Sequence, residues 1–251
     1  GWANDYIGVL DDVQIYSGVL SYSDVAGLYA NPGSTAPEVA CGGVGPVAYY
    51  EFDEGRPLAA DISGNNNNII HAGNFGGGDP AISSDTVAGS GAVSFDGGGY
   101  LTASPALLPT LAGDFTVSLW LKTTQDFGGE NDPAWAGAGV VSADSPNAGA
   151  KDLIPVALNG GHVSFNVGAD DFDDTMHSGA AINDGEWHHV VVTRNQATGA
   201  RQIFIDGALD TAAGGTVVGC TGVSTTGGRR RAACPSAQYE PELQRRRVGR
   251  P

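Results

Sequence analysis

Apolar and polar positions alternate between Tyr6 and Tyr16, which predicts a β-strand with Val9, Asp11, Val13 and Ile15 on one face and Leu10, Asp12, Gln14 and Tyr16 on the other. Leu20 to Tyr29 predicts a short helix with Ser23 as its N-cap. Asn31 to Pro46, rich in Pro, Gly, Ser and Thr, reads as a linker. Strands then follow at Val47–Phe52, Gly91–Phe95, Phe115–Lys122, Gly139–Ser142, Ile154–Leu158, His162–Val167, Trp187–Arg194 and Gln202–Ile205. Turn sequences separate them, among them Asn159-Gly160-Gly161, Asn183-Asp184-Gly185 and Asp206-Gly207. With almost no helical period between the strands, the pattern predicts an all-β chain folded as an antiparallel two-sheet sandwich.

Composition agrees. The 251 residues contain 39 glycines and are 41% hydrophobic, too apolar for disorder and rich in the residue that tight turns require. The net charge of −16 is unevenly spread. Seven of the 12 basic residues lie after Cys220, leaving 5 basic against 26 acidic side chains in the first 219 positions. Such a surface repels phosphate backbones, which argues against nucleic acid as a partner, and attracts divalent cations. Cys41, Cys220 and Cys234 have no zinc-like spacing. No run of about 18 apolar residues exists to span a membrane, and no leader is visible at the first residues.

Four segments together resemble the laminin-G-like, concanavalin-A-like lectin/glucanase jelly-roll family. Val47-Ala48-Tyr49-Tyr50-Glu51-Phe52-Asp53-Glu54 with Asp61-Ile62-Ser63-Gly64-Asn65 resembles its opening strand and following turn, and Gly91–Gly97 and Phe115–Leu121 resemble two further strands. The most specific match is Asp184-Gly185-Glu186-Trp187-His188-His189-Val190 followed by Ile203-Phe204-Ile205-Asp206-Gly207. The resemblance implies a jelly-roll domain over residues 47–219, preceded by a linker over 31–46. Leu10–Ser21, with its Asp-Asp-Val strand, resembles the family's last strand, so residues 1–30 read as the closing strand and helix of an upstream copy in a tandem array. Residues 220–251, with Arg229-Arg230-Arg231 and Arg245-Arg246-Arg247, lack any strand or helix pattern and read as a basic tail or as frameshifted sequence.

In the family the first and last strands are antiparallel neighbours. The domain's own closing strand is missing after Gly219, so Ile7–Ile15 is expected to fold back and pair with Val47–Phe52, giving a circularly permuted jelly roll. The resemblance also implies a structural calcium ion held by the oxygen-rich turn at Asp61 and Asn65 with Asp11 or Asp12. The alternative for that turn is an Asx-turn in which Asp61 caps backbone N–H groups.

Other chemistry is weaker. Glu51 and Asp53 share a strand face, but Glu54 points the other way, so the glucanase-type trio of carboxylates on one face is not formed. Asp170-Asp171-Phe172-Asp173-Asp174 reads as a solvated acidic loop. His188 and His189 fall on opposite strand faces, unsuited to a zinc pair. Trp120 and Trp187 are expected in the core. Trp135, Phe172, His177 and Phe127, in loops, offer ring faces on which a sugar can stack. These readings point to a non-catalytic module of a larger extracellular or cell-surface protein that binds carbohydrate or a glycosylated partner. A structural spacer and a glycoside hydrolase are the rival readings.

Overall fold

The structure, a computed structural model, describes residues 6–36, 45–74, 77–143, 153–168 and 174–213. Fourteen strands are found among them, all paired antiparallel. The large sheet runs in the order β14 (Ala208–Ala213), β13 (Arg201–Ile205), β12 (Trp187–Arg194), β7 (Phe115–Lys122), β1 (Ile7–Ser17), β5 (Ala92–Asp96) and β4 (Ala81–Ser83), with β2 (Ala48–Tyr50) also on β1. Opposite it lie a four-stranded sheet, β11 (Thr175–Ala181), β10 (His162–Val167), β9 (Leu153–Asn159) and β8 (Ala138–Val141), and the pair β3 (Ile69–Asn74) and β6 (Gly99–Ala103). One core cluster joins the inner faces, with Phe115, Val117, Leu119 and Leu121 of β7 meeting Val163, Phe165 and Val167 of β10. Their period of two is that of a strand buried against a second layer. The fold is the expected antiparallel jelly-roll sandwich.

The fold-back of the first strand is present. Val13, Gln14 and Ile15 pair antiparallel with Tyr50, Tyr49 and Ala48. On its two edges β1 also pairs with β7 and, near its start, with β5, so it lies inside the large sheet and not at its rim. The expected division of its faces, however, is corrected. Register slips between Asp11 and Gln14, and Asp12 has a φ of 51°. This bulge adds one residue, so Leu10 joins Val13 and Ile15 in the core while Asp11, Gln14 and Tyr16 point to the other side.

The helix α1 (Tyr22–Ala30) covers that outer face. Its cap is Ser21, not Ser23: the Ser21 hydroxyl accepts from the Asp24 N–H while the Asp24 carboxylate accepts from the Ser21 N–H, at 3.3 and 3.0 Å. An acidic residue three places on fixes the cap at Ser21, because both orphan donors are then satisfied. Leu20, Val25 and Leu28 pack with Tyr16, Val191 and Phe204 in a second apolar cluster outside the large sheet. Beside it, the Tyr29 ring stacks on Trp120 at 5.6 Å, and the buried His189 lies against both. Trp120 is thus buried, as expected, but under the helix and not between the sheets. Trp187 is only partly buried, its indole N–H donating to Asp85 at 3.1 Å.

Candidate functional site

The outer face of the four-stranded sheet carries a row of polar side chains, of which Ser164 and Asn166 are fully buried and His162, Thr175 and His177 are partly exposed. Because Val163, Phe165 and Val167 point inward, His162, Ser164 and Asn166 of β10 must point out. On β11 the same alternation sends Met176 inward and Thr175 and His177 outward. Ser164 and His177 share a hydrogen bond of 2.9 Å, and Thr175 donates to Asn166 at 3.3 Å. Burial and the neighbouring His162 lower the His177 pKa, so its ring is neutral at pH 7 and presents one donor and one acceptor.

The loop before β8 folds over part of this face. Ala134 donates its N–H to the Thr175 hydroxyl at 3.1 Å, and Glu130 approaches His162 at 3.6 Å. The loop thereby presents Trp135, which is 45% exposed, beside a cavity that opens between β8 and β6. Tyr100 of β6 lines the same cavity and contacts His71 through its hydroxyl at 3.2 Å. A half-exposed indole, a tyrosine and the partly exposed imidazoles of His162 and His177 form an amphipathic surface. Such a surface suits a ligand with both C–H faces and hydroxyl groups.

Of the residues expected to touch a ligand, Trp135 and His177 therefore lie on the loop and strand of this one face. Phe172 lies outside the described residues, as do Asp170, Asp171 and Asp173, the three cysteines and the whole segment 220–251. Tyr100 and His71 were not singled out in the sequence. Their strands lack clean alternation, and only the pairing of Ala72 with Leu101 and Gly73 with Tyr100 places them together.

The expected calcium ligands meet a different arrangement. Asp61 accepts N–H bonds from Tyr49 and Ser63 on one oxygen and from Asn67 on the other, at 2.8 to 3.0 Å. This is the Asx-turn alternative. Burial alone would raise the Asp61 pKa, but the Ser63 side chain and these N–H bonds outweigh it and hold the carboxyl below its ordinary value. Asp11 instead accepts from Val87 and Ala88, and Asp12 from Gly33 and the Gln14 amide. Asn65 donates to Ser63 and to the Pro46 carbonyl. Among the described residues no three acidic, histidine or cysteine side chains converge as a metal site.

The acidic strand end is also rearranged. β2 stops at Tyr50, and Phe52 takes a φ of 59°, so Glu51 to Glu54 are not on one strand. Asp53 caps the N–H groups of Ser90 and Gly91, and Glu54 caps that of Ala60. Glu51, partly buried and facing other carboxylates, has a raised pKa. Two of the three carboxylates are thus engaged by backbone donors and are not facing each other across a cleft.

An antiparallel two-layer sandwich of this topology is a jelly-roll β-sandwich. The model of the concanavalin A-like lectin/glucanases superfamily matches residues 95–236, more than half of the chain, and the protein belongs to that superfamily. The match begins at β5 and runs into the segment beyond Gly219. No curated protein sequence matches the chain. Among the described residues no helix is long and apolar enough to cross a membrane.

Proposed function

We propose that this domain is a non-catalytic module that binds carbohydrate or a glycosylated partner through the outer face of the β8–β11 sheet, as part of a secreted or surface protein. The superfamily joins lectins and glucanases, so membership alone supports either activity. The observation that favours binding is Trp135, held half-exposed by a loop anchored to β11 next to the partly exposed His162 and His177. The indole face offers stacking to the C–H side of a saccharide while the partly exposed imidazoles offer hydrogen bonds to its hydroxyls. The dispersal of Glu51, Asp53 and Glu54 supports the absence of glycoside hydrolysis through that segment.

A glycan array or a polysaccharide pull-down with the whole chain tests the reading. Trp135→Ala is expected to reduce binding at least tenfold, in line with the cost of removing a central aromatic contact, with an unchanged melting temperature. Retention of full affinity by that variant would move the ligand elsewhere. Failure of the wild-type chain to bind any glycan would favour the structural spacer.

A further inference from the structure

The turn Asn159-Gly160-Gly161 joins β9 to β10, as its sequence predicts. Its left-handed positions are taken by the two glycines, with a φ of 54° at Gly160 and 80° at Gly161. Asn159 is not among the residues with a positive φ, so the turn makes no demand on its side chain. That side chain is nevertheless fully buried, and its Oδ1 has no hydrogen-bond partner among the described residues. Burying an amide oxygen unpaired is costly for a residue that the turn alone does not require.

What the side chain faces is the loop that carries Trp135. Its Nδ2 donates to the Pro133 carbonyl at 3.4 Å, and Pro133 caps the 3-10 turn Ala134–Ala136. Gly128 and Gly137, near the two ends of the loop, close on the same amide. A Cβ on Gly137 would collide with Asn159 Oδ1 and the Leu158 carbonyl, and one on Gly128 would stand 3.3 Å from Asn159 Nδ2. Beside them Gly160 donates its N–H to the Phe127 carbonyl at 2.7 Å, and a Cβ there would meet the Glu130 nitrogen at 2.8 Å. The loop is thus seated on the turn along its length, with the bond from Ala134 to Thr175 as a further support.

Trp135 lies within this supported stretch, next to the buried Ala134. A ring that is half in water takes its place from the backbone beneath it, and a contact group fixed in advance loses less entropy on binding. We infer that Asn159 is a positioning residue of the ligand site: it touches no ligand, and by seating Gly128, Pro133 and Gly137 it fixes where the Trp135 ring stands before a ligand arrives. That the ligand is a glycan rests on the reading above; the seating of Trp135 does not.

The full chain labelled with fluorotryptophan tests both parts, with Trp135→Ala assigning the Trp135 fluorine resonance. Asn159→Ala is expected to shift or broaden that resonance alone among the tryptophans. On an oligosaccharide array the same variant is expected to bind about tenfold more weakly, close to the loss from Trp135→Ala. In the Trp135→Ala background it is expected to cost no further affinity, because a residue acting through Trp135 has nothing left to act on, whereas a general loss of structure would add. Gly137→Ala, which keeps Asn159 and pushes the loop off it, is expected to repeat these effects and carries the test should Asn159→Ala not fold. An unmoved Trp135 resonance in these variants, or affinity losses that add to that of Trp135→Ala, would overturn the inference. A moved resonance in a chain that binds no oligosaccharide on the array would uphold the seating and sink the carbohydrate reading.

Discussion

His189 shows how one buried side chain ties stability to pH. Its Nε2 lies 2.9 Å from the Ser118 hydroxyl, and its ring is enclosed by Trp120 and Tyr29. Burial lowers its pKa from 6.5 to about 4. The folded protein therefore binds fewer protons than the unfolded chain between these values, and stability falls as pH drops from about 6.5 towards 4, by about 3 kcal/mol in all. Asp11 works in the opposite sense, since its pKa is raised to about 6 by burial and its penalty fades as pH falls. Comparing His189→Gln with wild type in urea melts at pH 7 and pH 4.5 separates the two: the variant is expected to lose less stability on acidification, and an identical pH profile would show that His189 does not carry the effect. Asp61 makes a second residue-level case. Its carboxylate is already held by three N–H donors, so the melting temperature is expected to be the same in calcium and in chelator. A calcium-dependent rise that Asp61→Ala removes would instead show an ion held at this turn. The burial of His189 was not legible in the sequence, and the capping role of Asp61 was only one of two open readings, because an aspartate in an oxygen-rich turn looks alike whether it caps N–H groups or binds an ion. Trp135 was legible as a stacking candidate by its loop position. His177 was legible too, whereas the bond it shares with the fully buried Ser164 depends on a strand pairing that no local pattern gives.

At the level of elements, strands with clean alternation were legible to the residue: Phe115–Lys122, His162–Val167 and Trp187–Arg194 have the bounds the pattern predicts. The strands at Ile69–Asn74, Gly99–Ala103, Thr175–Ala181 and Ala208–Ala213 were not. They are short, mixed in polarity and partly exposed, so pairing to a neighbour and not their own pattern makes them strands. β1 falls between these cases, since its existence is plain but its bulge is not. Regular alternation would have turned Leu10 away from Val13 and Ile15, and only the extra residue at Asp12 brings all three into the core. Asp12 tolerates its left-handed φ because its own carboxylate bonds to Gly33 and Gln14 fix it there. Asp12→Gly loses those bonds but keeps the backbone. Asp12→Val loses both, and is expected to be about 2 kcal/mol less stable than the glycine variant in urea melts. Equal stabilities for the two would mean that the backbone at this bulge relaxes without cost.

For the whole molecule, the decisive feature is that the strand encoded first completes the sheet from the inside. β1 lies between β7 and the β5 and β2 strands, so removing residues 6–36 would expose two strand edges and uncover Trp120, Val191 and Phe204 beneath α1. The resemblance at sequence level implied that such a strand closes the domain from its far end, and the geometry allows the same piece to be supplied from there. β14, whose last residue is Ala213, is separated from β1 by β13, β12 and β7. Through the pairing, Ala213 stands level with Ser17, so the path to residue 6 is about 19 Å across four inter-strand spacings and about 36 Å along β1, about 41 Å in all, which roughly 25 flexible residues cover with slack. A chain beginning at residue 45, running to residue 213 and continuing through a Gly/Ser linker of about 25 residues into residues 6–36 is therefore expected to fold with a cooperative melt. The chain of residues 45–213 alone is expected to show no cooperative transition, since it lacks an interior strand and the helix that covers it. Circular dichroism melts of the two chains decide the matter. A cooperative melt for the truncated chain would show that β1 is dispensable, while failure of both chains would mean that residues 6–36 must enter from the N-terminal side for the sheet to close.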